Sequence, residues 1–198
     1  MYPMTSAVLL PLVLLGAYVA GSINFSIILF RLLGRRDPRT RYSGNAGVTN
    51  VYRQAGLPLA ALVLTLDVGR AMAAALLAER LGGASLAPWA GLALILGSHF
   101  SCFHGWPCGK GVANYLGFYA LLLPLGVSLA LAVYLIIFLL TRISFLGSCG
   151  IVATLTAFGC ARWIHEPFAL VAVLITSGSI LWFHRGNVAL LLHRKGVR

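Results

Sequence analysis

Long apolar stretches alternate with short polar stretches along the 198-residue chain, and the polar stretches are mostly basic. No charged residue occurs from Met1 to Phe30, and the run is closed by Arg31, Arg35, Arg36, Arg39 and Arg41. One crossing of a bilayer takes about 20 apolar residues, or about 30 Å of helix. The pattern therefore predicts spanning helices at about residues 4–33, 57–78, 85–103, 143–161 and 167–183. The first is too long for a signal-peptide core and is read as a transmembrane helix. Residues 111–141 are too many for one upright helix and few for two, and Pro124 near their middle offers a break.

Charge decides between one and two crossings there. With one crossing, six spans leave Arg31, Arg35, Arg36, Arg39, Arg41, Arg53, Lys110 and Arg162 on one side. The other side then holds Arg80, Arg142, Arg185, Arg194, Lys195 and Arg198. With two crossings, Arg142 and the four C-terminal cations join the first group, and only Arg80 and Arg162 face them. Basic loops stay cytoplasmic. The expectation is an all-α polytopic membrane protein of seven transmembrane helices, some short, with the N-terminus outside and the C-terminus cytoplasmic. No repeat or linker divides the chain, so residues 1–198 are read as one domain.

Composition agrees with that reading. Hydrophobic residues make up 60% and charged residues 10%, against about 25% charged in soluble domains. Soluble globular and disordered classes are thereby excluded. The net charge of +11 would suggest nucleic acid in a polar protein. In this chain it is assigned to topology and to an anion site, and no nucleic-acid partner is expected. The four cysteines lack metal-ligand or disulfide spacing and are read as free thiols, with no metal site.

Seven spans gather the informative polar residues on the cytoplasmic side. The first loop carries Ser43-Gly44-Asn45-Ala46-Gly47-Val48-Thr49-Asn50, then Arg53. Its glycines can present open backbone amides before a helix, an anion cradle; a capped turn is the alternative. In the second loop Lys110 stands between Gly109 and Gly111, as an anion ligand or a boundary lysine. His184 and Asn187 follow the last span and share a face if the helix continues, with an interfacial stop signal as the other meaning. Asp67 and Arg70 lie three apart inside a span, either as a structural ion pair or as part of a site.

At these residues the chain resembles the bacterial acyl-phosphate-dependent glycerol-3-phosphate acyltransferases. Gly21-Ser22-Ile23 is similar to the family's GSI, and SGNAGVTNVYR to its SGNPGATNVxR. Asp67-Val68-Gly69-Arg70 stands at its D-x-x-K-G element. GSHFSCFHGWPCGKGVA is similar to its GHxFPxFxxFxGGKGVA, and His184-Arg185-Gly186-Asn187 to its HRxN. Departures are Asn24 and Ala46 for prolines, Arg70 for lysine, Ser98 where histidine is expected beside His99, Ser101 for proline and Cys108 for glycine. Ala46 and Ser101 are expected to alter only loop stiffness, Cys108 to add bulk where backbone approaches phosphate, and Ser98 to remove a donor.

The resemblance implies transfer of a fatty acyl group from acyl phosphate to the 1-hydroxyl of sn-glycerol 3-phosphate. Lysophosphatidic acid and phosphate are the implied products, with no cofactor. It implies catalytic roles for Ser43, Arg53, Lys110, His184 and Asn187, and substrate binding at Gly44, Asn45, Gly47, Thr49, Asn50, Gly109 and Gly111. It further implies the bacterial cytoplasmic (inner) membrane, an active site on its cytoplasmic face, and room for other membrane enzymes of phospholipid synthesis as partners. Two other readings of the residues stay open: an organic-phosphate carrier, and a non-catalytic relative that binds phosphate or lipid.

Overall fold

The structure, a computed structural model, describes the backbone of residues 4–195 and the side chains of residues 9–191. The side chains of Arg194, Lys195 and Arg198, counted above for orientation, lie outside the described residues. Among the described residues there is helix and no strand. The α-helices are α1 (Met4–Ser22), α2 (Phe25–Leu32), α3 (Val48–Gly82), α4 (Ala87–His99), α5 (Val112–Leu122), α6 (Pro124–Thr141), α7 (Ser144–Arg162), α8 (Pro167–Phe183) and α9 (Arg185–Lys195).

Every apolar stretch read from the sequence is helical, but the lengths differ from the expectation. Three helices, α3, α6 and α7, are long and apolar enough to cross a bilayer. The bent pairs α1–α2 (40°) and α8–α9 (45°) raise this to five if each crosses as one span. α4 has 13 residues and α5 has 11, each short of the roughly 20 a full crossing takes. The break at Pro124 is real: Leu123 leaves helical geometry and α6 starts on the proline, where a missing N–H costs nothing.

The first span is not one helix. It breaks between Ser22 and Phe25, where Asn24 accepts the amide of Ile27 at 3.0 Å and so caps α2. The break frees carbonyls that must find donors in an apolar setting. Ser101 Oγ donates to the Ser22 carbonyl at 2.6 Å, and the Arg70 guanidinium donates to that of Ile23. Ser101, expected only to loosen a loop, also accepts the amides of Phe103 and His104 at 3.1 and 3.2 Å. It is a buried knot rather than a spacer.

α4 is the central helix, buried along nearly its whole length and packed against α1, α3, α5 and α8. Glycine lets α1 and α4 meet backbone to backbone. A side chain at Gly21 would strike the Leu94 carbonyl, and one at Gly97 the Tyr18 carbonyl, the close approach that small residues permit between membrane helices. Outward, α6 exposes Leu125, Leu129, Leu135, Ile136, Leu139 and Leu140, a face suited to lipid chains rather than water.

Gly56 interrupts α3 with φ 80° and ψ −178°, two residues before Pro58. The long helix is therefore a short first section carrying Asn50 and Arg53, joined to the span at the residue where the apolar stretch begins. Replacement by alanine meets only Pro58 Cδ at 3.8 Å, so its cost is in the backbone alone. Gly56→Ala is expected to destabilise by about 1–3 kcal/mol, read as a lower unfolding temperature in detergent.

Candidate active site

A cavity of about 680 Å³ opens at one end of the bundle. Of the twelve residues singled out from the sequence, eleven line it: Ser43, Asn45, Gly47, Thr49, Asn50, Arg53, Gly109, Lys110, Gly111, His184 and Asn187. Gly44 does not. Its φ of 63° and its amide, bonded to the Arg41 carbonyl at 3.2 Å, make it a turn residue behind the wall. Residues 142–145 and Ser148 join the same wall, so all four polar segments assigned to one side by charge counting do meet.

Three helices begin at this cavity. Val48 and Thr49 open α3, Val112, Ala113 and Asn114 open α5, and Ser144 and Phe145 open α7, all of them lining residues. The leading amides of a helix have no intrahelical acceptor, and the helix dipole favours negative charge there. Gly111 precedes α5 with φ 83°, and a side chain on it would press on Ile95 at 2.9 Å, so glycine is required. The lower wall is apolar, with Leu64, Leu116, Leu131 and Ile151. Open helix starts and cationic side chains thus sit beside an apolar slot.

The two glycine loops brace each other. The Ala46 amide donates to the Cys108 carbonyl at 3.3 Å, and the amides of Cys108 and Gly109 donate to His99 and Ser98 carbonyls at 3.0 and 2.9 Å. Asn50 is a scaffold in this arrangement. Its buried side-chain amide donates to the carbonyls of Pro38, Arg41 and Asn45, which shapes the first loop. Cys108 does not crowd the cavity as expected. Its buried thiol points back to the Gly105 carbonyl at 2.9 Å and receives Arg39.

The histidines separate in role. His99 is buried, donates Nδ1–H to the Gly109 carbonyl at 2.7 Å and stacks on Phe183 with centroids 3.6 Å apart. It braces the Lys110 loop from behind. Ser98 reaches the cavity wall, and its hydroxyl has no protein partner. His184, on the wall, donates Nδ1–H to the Ile180 carbonyl at 2.8 Å, so its other ring nitrogen carries a lone pair. Lys110 is half-buried, and burial pulls its ammonium down to about 8.

Asp67 and Arg70 prove to be both a structural pair and part of the wall. Arg70 bonds Asp67 at 2.8 Å and Asn114 Oδ1 at 2.6 Å, caps the broken first span at Ile23 and lies 4.9 Å over the Phe25 ring. One side chain joins α3, α5 and the α1–α2 break beneath the cavity. Sequence reasoning missed Asn24, Asn114, Tyr134, Arg142 and Ser144 as wall residues. An asparagine in an apolar run was a usable signal at 114; Tyr134, inside a uniformly apolar helix, gave none.

The fold and cavity define a membrane-embedded helical protein with cationic side chains and open helix starts next to an apolar slot. The chain belongs to the glycerol-3-phosphate acyltransferase family, whose profile matches residues 11–194. It is 39% identical over 173 residues to the glycerol-3-phosphate acyltransferase of Pseudomonas aeruginosa, covering 87% of this chain and 90% of that one. The Pseudomonas fluorescens enzyme of the same name is 41% identical over 174 residues, with the same coverage. The crystal structure of PlsY, an integral membrane glycerol 3-phosphate acyltransferase, in its glycerol 3-phosphate form superposes with a TM-score of 0.86. That match has 31% identity and covers 93% of this chain and 92% of the other. The lysophosphatidic acid form of PlsY gives 0.83 at 30% identity.

Proposed function

We propose that this chain transfers a fatty acyl group from acyl phosphate to the 1-hydroxyl of sn-glycerol 3-phosphate, giving lysophosphatidic acid and inorganic phosphate. The observation that carries this reading is the convergence of three helix starts, Arg53 and Lys110 on one cavity that also has an apolar stretch of wall at Leu64, Leu116, Leu131 and Ile151. Two phosphates and an acyl chain need such a combination. The work is done at the cytoplasmic face of the bacterial inner membrane, by one domain that crosses seven times with the N-terminus outside, α4 and α5 crossing as short helices of 13 and 11 residues. Support for the seventh crossing is the meeting of residues 142–148 and 184–187 with the first two loops, which six spans would place on opposite sides; support for the orientation is the excess of basic residues on that side.

The roles follow from position. Lys110, with the amide of Gly111, holds the acyl phosphate and offsets charge growing on the leaving phosphate; the Gly109 amide, expected to share this role, is spent on the Ser98 carbonyl. Ser43 and the turn through Asn45, Gly47 and Thr49 contact the phosphates and the reacting centre, and Arg53 takes the phosphate of glycerol 3-phosphate through its planar fork. His184 and Asn187 orient the glycerol hydroxyls. The hydroxyl oxygen attacks the acyl carbon, the new ester bond forms, and the bond to the phosphate oxygen breaks with its electron pair leaving on phosphate. The acyl phosphate is already activated, so alignment supplies most of the rate.

The proton of the hydroxyl goes to a substrate phosphate. Asp67 is the one carboxylate on the described wall, and Arg70 occupies it; no acid stands behind His184, which spends its Nδ1–H on a carbonyl. Purified protein in detergent, given palmitoyl phosphate and labelled glycerol 3-phosphate, should form lysophosphatidic acid. Product made without a compartment excludes a pure carrier, and phosphate binding without product would leave only a binding protein. His184→Gln should raise KM for glycerol 3-phosphate with a modest loss in kcat. A loss of several orders of magnitude in kcat at unchanged binding would instead make His184 the base.

A further inference from the structure

Only two non-glycine residues among those described have positive φ, Tyr42 at 53° and Arg142 at 57°. Both line the cavity. This left-handed geometry is one that glycine adopts freely and an arginine does not, and departures of this kind gather at functional sites. Arg142 follows the last turn of α6, its amide bonded to the Phe138 carbonyl at 2.8 Å. A helix end of that shape calls for glycine. A cation kept there needs a use for its side chain.

Charge around the cavity supplies one. The described wall carries four cations, Arg53, Arg70, Lys110 and Arg142, and one carboxylate, Asp67. Arg70 and Asp67 are bonded to each other at 2.8 Å. Arg142 is exposed and has no acidic partner among the described residues. Its place relative to the other cations is set by a hydrogen-bonded chain. Ser144, two residues on, joins Thr49 at 3.1 Å and Tyr134 at 3.0 Å. Thr49 lies one helical turn before Arg53, on the same helix face. The start of α7 is thereby fixed against the Arg53 face of α3.

We infer that Arg142 is a substrate-binding residue that shares the phosphate of glycerol 3-phosphate with Arg53, leaving Lys110 to the acyl phosphate. The inference rests on the reading of the cavity as an acyltransferase site. Two forked guanidiniums on one dianion explain why the chain keeps an arginine where its backbone would take glycine. They also give the two phosphates separate cation sets, so that one substrate can leave without the other.

Arg142→Gly separates charge from backbone, because glycine fits φ 57° without strain. The expected result is an unfolding temperature at or above that of the unaltered protein, with KM for glycerol 3-phosphate raised about 10- to 100-fold and KM for palmitoyl phosphate nearly unchanged. Arg142→Lys should recover part of the loss, and Arg36→Ala, which removes an exposed cation outside the cavity, should cause none. An unchanged KM for glycerol 3-phosphate in Arg142→Gly overturns the inference, as does an equal loss in Arg36→Ala or a shift confined to palmitoyl phosphate. Calorimetric titration of glycerol 3-phosphate into each variant reads the same point without turnover. An unaltered protein that binds glycerol 3-phosphate but makes no product would defeat the acyltransferase reading, while the Arg142 contact would still stand or fall on the Kd values.

Discussion

Lys110→Ala should abolish measurable lysophosphatidic acid synthesis, lowering kcat/KM by about a hundred- to a thousandfold, the usual consequence of removing one group that stabilises developing charge. Lys110 lies between two glycines immediately before α5, and its loop is held from behind by the His99 and Ser98 carbonyls and by the His99 side chain on Gly109. The alanine variant should therefore keep its loop geometry and its unfolding temperature and lose only the charge. The pH profile offers an independent check. With burial pulling the ammonium down to about 8, the empty site carries its positive charge below that pH and sheds it above. Anion affinity is thus present at neutral pH and lost as pH rises through about 8. kcat/KM, which reports the free enzyme, should fall along an alkaline limb near that value. Lys110→Arg stays charged throughout and should move the limb upward even if the longer fork costs rate. A limb indifferent to this substitution would remove Lys110 from the phosphate site.

Arg70→Ala should cause the largest loss of stability. It strips the donor from three acceptors at once: the Ile23 carbonyl, Asp67 Oδ1 and Asn114 Oδ1. The Asp67 side chain is only 15% exposed, and a buried charge left alone costs about 3–5 kcal/mol. The unfolding temperature in detergent should drop by roughly 10 °C. Lysine has three N–H donors, one for each acceptor, so Arg70→Lys should restore most of the stability. Removing both charges, Asp67→Ala with Arg70→Ala, should be milder than Arg70→Ala alone, because no unpaired carboxylate remains. If Arg70→Ala unfolds at the unaltered temperature, the bonds to Ile23, Asp67 and Asn114 do not hold the broken first span to α5.

The breaks in the helices show where sequence reasoning stopped. Pro124 announced its own break, since a proline cannot donate and clashes with the preceding turn. The break at residues 22–24 carried no comparable mark. Asn24 there is an ordinary polar residue in an apolar stretch, and the interruption persists because Ser101 and Arg70, distant in sequence, satisfy the freed carbonyls. Ser101, Cys108 and His99 were misjudged or left open for the same reason. Each acts on the backbone of another segment, and neither composition nor spacing reveals which carbonyl a hydroxyl, thiol or ring will meet. Gly44 was placed in the site as a glycine with an open amide, yet its amide is spent on the Arg41 carbonyl and it does not line the cavity.

What the sequence determined by itself is the helical membrane class, the apolar stretches, the family, and the short glycine-rich and basic motifs that line the cavity. Those are local properties: hydrophobicity summed along a stretch, charge counted per loop, glycines beside cations. What only the tertiary structure decided is which of these parts touch. It cut α4 and α5 below spanning length, bent α1–α2 and α8–α9, and turned the starts of α3, α5 and α7 onto one cavity. It also seated Arg142 there with a backbone better suited to glycine. Contacts of this kind depend on how helices cross and which buried polar groups must pair, and those are properties of the packed bundle rather than of any one segment.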